Sequence, residues 1–264
     1  RMDLAADDSL RHPTEETPKS TEKGPGKTAR SSDGSPPKDS RDKPSPDPKP
    51  DDSYPPRTDS GRIDWVKQRL LPVEERIDRL LESGRFRADP ERLTKLKEKV
   101  LEEQRSSLGS GGYNGELEFI ERKVFEEKRM VEMIPERKGV KNPDYLVDGD
   151  ITEVKTIVET KMEPDAIKSP IQEANKQIKN SGLMGVKTNS DSLPVGSVEI
   201  QLNHEGKKSF NNVSIDELEQ SIRDQFHEYR SRSLHRVAVY REHQLIVELI
   251  RTMDNKILRT YPKG

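Results

Sequence analysis

Apolar positions are spread unevenly along the chain. Up to about Ser60 they are scarce and unpatterned, and proline, serine, lysine, aspartate and threonine take their place, as in Pro44-Ser45-Pro46-Asp47-Pro48-Lys49-Pro50. Such a stretch cannot bury enough apolar surface to offset the entropy of ordering it, so residues 1–60 are expected to be a disordered or extended linker. From Ile63 the spacing becomes helical: Ile63, Val66, Leu70, Val73, Ile77 and Leu80 recur at intervals of three and four. Asp59 or Ser60 would cap this helix and Gly84 would end it. Pro72 either kinks it or splits it, with Leu71 closing one piece and Pro72 opening the next. Asp89-Pro90 opens a second helix with the stripe Leu93, Leu96, Val100 and Leu101. Residues 61–108 therefore read as a helical hairpin, and the glycines within 106–112 as a hinge.

After the hinge the period alternates between helix and strand. A helix from Asn114 would bury Tyr113, Leu117, Ile120 and Val124, with Asn114 as its cap. Residues 129–134 read as a first strand and Tyr145-Leu146-Val147 as a second. Asp148-Gly149-Asp150 is a turn, and residues 151–158 alternate like a third strand. Ser169-Pro170 starts a helix with Gln172 in capping-box position and the stripe Ile167, Ile171, Ala174 and Ile178. A strand at 196–202 follows. Ser214 and Glu217 then cap a helix with the stripe Ile215, Leu218, Ile222 and Phe226, before three short strands in a meander at 237–240, 245–250 and 256–260. Residues 109–264 are thus expected to form an α/β domain, a central mixed sheet flanked by helices.

The chemistry concentrates in the strand after the Asp148-Gly149 turn. Side chains alternate along a strand, so Ile151, Glu153, Lys155 and Ile157 share one face. With Asp144 just ahead on the neighbouring strand, two carboxylates and an ammonium would come together beside apolar groups. Overall composition adds little direction. The 264 residues are 36% charged and 29% hydrophobic, with a net charge of −2, so no global basic field points to a nucleic-acid partner. There is no cysteine, which excludes disulfides, zinc–thiolate sites and a cysteine nucleophile. No apolar run is long enough to span a membrane, and no signal-peptide pattern is visible. The sequence begins at Arg1 and reads as a piece of a longer polypeptide or as a processed product.

Pro143-Asp144 followed by Glu153-Val154-Lys155 resembles the signature of the PD-(D/E)xK nuclease superfamily. Together with the wording Asn142-Pro143-Asp144-Tyr145-Leu146-Val147-Asp148-Gly149 and Glu153-Val154-Lys155-Thr156, it is similar to the C-terminal nuclease domains of contact-dependent growth inhibition and related polymorphic toxins, over about the last three-fifths of the chain. The resemblance implies a restriction-endonuclease-like core in the order helix, strand, strand, strand, helix, strand. It implies Asp144 and Glu153 as ligands of Mg²⁺ or Mn²⁺ and Lys155 on the attacking water. A glutamate from the preceding helix would complete the site, with Glu116 preferred over Glu118 and Glu121 because Gly115-Glu116 matches the start of that helix in many members. The helix after the motif would bring substrate-binding groups, from Gln172, Asn175, Lys176 and Gln177.

Further along, Arg230, Arg232, His235, Arg236 and Arg241 lie among Tyr229 and Tyr240. Arginine forks suit phosphate and tyrosines stack on bases, so Arg230, Arg232 and Arg236 are further candidates. A solvated helix end and edge strand is the alternative. His204 sits in a turn and reads as an exposed, inert histidine. The implied activity is metal-dependent cleavage of RNA, such as transfer RNA. The implied setting is delivery as the C-terminal part of a larger protein into the cytoplasm of a competitor, countered by a cognate immunity protein. A DNA endonuclease of the same fold is one rival. A non-catalytic binding or assembly domain of a surface or virion protein is the other.

Overall fold

Eight strands join into one mixed sheet whose spatial order follows the chain: β1 (Phe86–Arg87), β2 (Val131–Met133), β3 (Tyr145–Val147), β4 (Asp150–Thr156), β5 (Gly196–Leu202), β6 (Arg236–Arg241), β7 (Gln244–Arg251) and β8 (Ile257–Tyr261). The computed structural model describes residues 54–106, 112–157, 164–183, 196–202, 213–226 and 233–261. They belong to one compact unit running from Pro50 to Gly264. β2, β3 and β4 form an antiparallel meander, β5 and β6 lie parallel to β4, and β7 and β8 return antiparallel.

The β3–β4 turn shows why the sequence closes so tightly here. Asp148 and Gly149 both take positive φ, 50° and 93°, the geometry in which a two-residue loop matches the right-handed twist of its strands. The turn pairs Val147 with Asp150 and Tyr145 with Thr152. One residue further out, Asp144 comes level with Glu153. The eight residues between Asp144 and Glu153 therefore form a hairpin of fixed register.

Helices cover both faces. α5 (Lys168–Asn180) and α6 (Ile215–Gln225) bury Ile171, Ala174, Ile178, Leu218 and Ile222 against Ile151, Val198, Ile200, Val237, Val239, Val247 and Leu249. On the opposite face α4 (Gly112–Glu121) lies on Val131, Met133, Tyr145, Val147 and Val154. The run α4, β2, β3, β4, α5, β5 is the expected helix–strand–strand–strand–helix–strand order, and the late meander forms as read.

Several local expectations change. The first helical stretch is split by Pro72 into α1 (Trp65–Leu70) and α2 (Val73–Glu82), capped by Asp64 and not by Asp59 or Ser60. The break leaves Val66 and Leu70 exposed at 72% and 80%, while the polar Gln68 is buried. Gln68 donates to the Tyr54 hydroxyl and to Glu121, so α1 is seated by hydrogen bonds and not by its apolar stripe. Tyr54 also packs edge-on against Phe125, so residues 54–60 belong to the folded unit and not to the expected linker. Residues 1–53 lie outside the described residues.

α3 (Pro90–Arg105) is capped by Asp89 with Pro90 at its first position, as read. Asn114 caps nothing: α4 starts two residues earlier. Glu103 of α3 accepts from the Tyr113 and Asn114 amides and from the Asn114 side chain. α5 begins from a 3₁₀ turn at Pro164–Ile167, so the Ser169 cap and its capping box do not form, whereas the Ser214–Glu217 box does.

The expected boundary near residue 108 does not coincide with a break in the core. Val73, Ile77, Leu80, Phe86, Leu96 and Val100 belong to the same buried cluster as Leu117, Phe119, Tyr145 and Val154, and β1 pairs with β2.

Candidate active site

Asp144 is held against β4 by its own side chain. Its Oδ2 accepts the Val154 amide at 2.9 Å, between Glu153 and Lys155. Its backbone carbonyl accepts from the Ile134 amide and, at 2.6 Å, from Nη1 of Arg92, which also reaches the Ile134 carbonyl at 2.8 Å. Nη2 of the same guanidinium lies 3.4 Å from Asp144 Oδ1 and 3.5 Å from Glu116 Oε1. Arg92 comes from α3, a helix that reads from its residues as packing alone. No signal in the chain could have found it, because its role depends on how α3 packs.

Glu153 is 1% exposed. Its Oε1 pairs with Lys155 Nζ at 2.7 Å, while Oε2 is buried with no hydrogen-bond partner. Burial and then the Asp144 carboxylate push Glu153 well above the usual carboxylate range, and Lys155 only partly offsets them. Lys155 is itself lowered by burial but, on balance, raised by Glu153, so it stays an ammonium. It donates to Gln177 Oε1 at 3.1 Å, which fixes its direction from α5.

Glu116 enters from α4. A Cβ on Gly115 would collide with the Thr156 side chain, so glycine here lets α4 approach β4 closely enough for the next residue to reach the cluster. Glu116 accepts from the Tyr145 hydroxyl at 2.6 Å. Burial, with Asp144 adding repulsion, pushes it up to about 7. Glu118 and Glu121, the other two helix candidates, are committed elsewhere. Glu118, buried, pairs with Arg69 at 2.6 Å and His243 at 3.0 Å, and the buried Glu121 with Arg76 at 2.6 Å.

The structure thus brings together Asp144, Glu153, Lys155 and Glu116, with Arg92 and Gln177 added. Lys176 is exposed beside the same cleft. Gln172 points away and hydrogen-bonds Gln225 of α6. Arg236 is not free for substrate: it pairs with Glu199 and Glu248, each at 2.6 Å, on the α4 face of the sheet. Arg230 and Arg232 lie outside the described residues, as does His204.

No protein-family model matches the chain, and no curated protein matches it. Among solved structures it is similar to the CdiA-CT/CdiI toxin and immunity complex from Burkholderia pseudomallei, at 16% sequence identity and a TM-score of 0.32, over 60% of this chain and 92% of that chain.

Whether the residues suit a divalent cation is a matter of their own chemistry. Among the described residues, no three His, Cys, Asp or Glu side chains are grouped to hold a metal ion, so Glu116, Asp144 and Glu153 do not form a ready three-carboxylate cage. Asp144 and Glu153 by themselves do fit. They are oxygen donors crowded against each other, and Glu153 keeps one oxygen dry and without a donor. Mg²⁺ commonly takes one or two carboxylates and completes its shell with water and phosphate oxygens.

Proposed function

We propose that this chain is a metal-dependent nuclease that hydrolyses phosphodiester bonds, with Asp144 and Glu153 holding Mg²⁺ or Mn²⁺ and Lys155 acting on the nucleophile. The observation that carries it is the buried Glu153 carboxyl crowded against that of Asp144, with an ammonium held at 2.7 Å beside it. Carboxylates in such a place gain from a cation, which would neutralise phosphate charge and make a bound water easier to deprotonate.

The chain's own residues supply the rest. Gln177 aims Lys155, whose ammonium would hold the attacking water or hydroxide by a charge-assisted hydrogen bond and orient it to the phosphorus. Arg92 ties the Asp144 carbonyl to the Ile134 carbonyl, and the Val154 amide holds the Asp144 carboxylate against β4. Glu116, near half-ionised at neutral pH, would accept a proton from that water.

The wider setting rests on the sequence resemblance alone. RNA such as transfer RNA is proposed as substrate, a cognate immunity protein as partner, and the cytoplasm of a competing cell as the place of action after delivery within a larger protein. No helix among the described residues is long and apolar enough to cross a membrane.

Incubating the purified protein with total RNA and with plasmid DNA, each with Mg²⁺ and with chelator, tests the reading. Cleavage that stops with chelator and is abolished by Glu153→Gln and by Asp144→Asn, both still folded, is expected. Intact substrates throughout, or cleavage undiminished in both variants, would overturn it.

A further inference from the structure

Two clefts flank the catalytic residues, and one short turn separates them. The first, about 450 Å³, is lined by Asp144, Glu116, Arg92 and Tyr113. The second, about 550 Å³, is lined by Lys155, Lys176, Glu173 and Asn180. Val140, Lys141 and Gln177 belong to both, so they form the wall between them.

That wall is held at several points. Arg137 and Val140 pair as an isolated antiparallel bridge, and the Val140 amide donates to the Arg137 carbonyl at 3.1 Å. Gly139 takes φ 80°, which lets the chain reverse. The Asn142 side chain donates to the Pro135 carbonyl at 2.8 Å and closes the base, while Lys95 holds Glu136 at 2.7 Å and ties the turn to α3. The result is a knuckle tipped by Lys138 and Gly139, with Val140 42% exposed on its flank and Arg137 and Lys141 lining the clefts.

We infer that this turn is a clamp for single-stranded nucleic acid: one nucleoside occupies each cleft, Val140 parts their bases, and Arg137 and Lys141 hold the backbone with the connecting phosphate over Asp144 and Glu153. The inference deepens the nuclease reading and rests on it for what happens to that phosphate. Each cleft is of a size to take a small ligand, and the two are divided, which suits bases turned apart and not bases stacked in a duplex. Tyr113 in the first cleft offers a ring face for a base, and the cations of both clefts suit phosphate. Lys138 provides an internal comparison, since it is exposed on the same turn but lines neither cleft.

The test is binding without cleavage. Fluorescence anisotropy with labelled oligonucleotides, single-stranded and in duplex, of RNA and of DNA, is measured in chelator over a range of salt. Single strands of at least one sugar should bind roughly tenfold tighter than the matching duplex. The double change Arg137→Gln with Lys141→Gln should weaken single-strand binding by a further factor of about ten and reduce the logarithmic salt slope by about 1.4, or about 0.7 for each phosphate no longer neutralised. Lys138→Gln should change affinity less than threefold, and circular dichroism should show all variants folded. Equal or tighter duplex binding, or an equal loss from Lys138→Gln, would overturn the clamp. Preferred single-strand binding by a protein that cuts nothing with Mg²⁺ would sink the nuclease reading and leave the clamp standing. Metal-dependent cutting with a duplex preference would do the reverse.

Discussion

Lys155 and Glu153 illustrate how far a period of two carries a sequence argument. Alternation along β4 is enough to place both on one face, and the Asp148-Gly149 turn is enough to bring Asp144 level with them. Gln177 is only one of four polar candidates read on its helix, because which of them meets Lys155 depends on how α5 crosses β4. The assignment of Lys155 is testable against a purely structural salt bridge. Lys155→Met should lower single-turnover cleavage by roughly 10²–10⁴, the range of a lost proton-handling group, while calorimetric titration still shows metal binding. Native turnover in that variant, or loss of cleavage only through unfolding, would remove the lysine from the mechanism. Glu116 gives a separate reading through pH. Its carboxyl is raised to about 7 in the folded protein against an ordinary 4.5, so the folded state holds the proton more tightly. Its contribution to stability is therefore complete below about pH 4.5 and is lost as pH rises through 7, by an amount on the order of 3 kcal/mol. Glu116→Gln, which cannot ionise, should gain stability over the parent on going from pH 5 to pH 8 in chelator, by urea denaturation. A pH-independent difference would count against the raised ionisation.

Elements are legible where an apolar stripe marks them and misread where charge does the seating. The stripes of α2, α5 and α6 are buried much as their spacing implies, but α1 turns Val66 and Leu70 to solvent and its Gln68 inward. α4 carries three glutamates that look like surface residues in the sequence. In the fold, Glu118 and Glu121 are fully buried, held by Arg69 and Arg76 from residues 61–82 and by the His243 imidazole of the β6–β7 turn. A five-residue π-helix, Arg122–Glu126, continues α4 and carries Arg122 and Lys123 inward to Glu199 of β5, at 2.8 and 2.7 Å. Burial acts against ionising Glu199, but Lys123, Arg236 and Arg122 outweigh it and hold the carboxyl well below its ordinary range. Sequence periodicity could not show this, since a charge looks the same whether its partner is water or an arginine far along the chain. The Arg76–Glu121 pair, with both side chains wholly buried, supplies the measurement. Arg76→Met alone leaves an uncompensated carboxylate in the interior and should cost about 3–5 kcal/mol, whereas Arg76→Met with Glu121→Leu should recover much of that loss. Additive losses across this cycle would mean that the two residues do not act as a pair. Val66→Ser or Leu70→Ser, by contrast, should stay within about 0.5 kcal/mol of the parent.

At the scale of the whole molecule, composition locates a folded region correctly as mixed α/β but sets its boundary too late. The glycines and serines of 106–112 read as a hinge between a helical hairpin and a separate domain, because a run of small residues is a local signal and the core that spans it is not. Six of the fifteen residues in the buried cluster on the α4 face come from α2, β1 and α3. At about 1.5–3 kcal/mol for each fully buried aliphatic or aromatic side chain, their removal forfeits an amount comparable with the roughly 5–15 kcal/mol that holds a typical domain together. Truncation would also strip Arg69 and Arg76 from two buried glutamates and Arg92 from Asp144, so the loss would reach the active site as well as the core. A fragment of residues 109–264 should therefore show no cooperative urea transition and no metal-dependent cleavage, while residues 50–264 should unfold in one transition and retain the activity of the full chain. Circular dichroism across a urea titration of both fragments distinguishes the cases. A cooperative transition in the shorter fragment would restore residues 61–108 to the status of an appended hairpin and make Arg92 a visitor to the site and not a part of it.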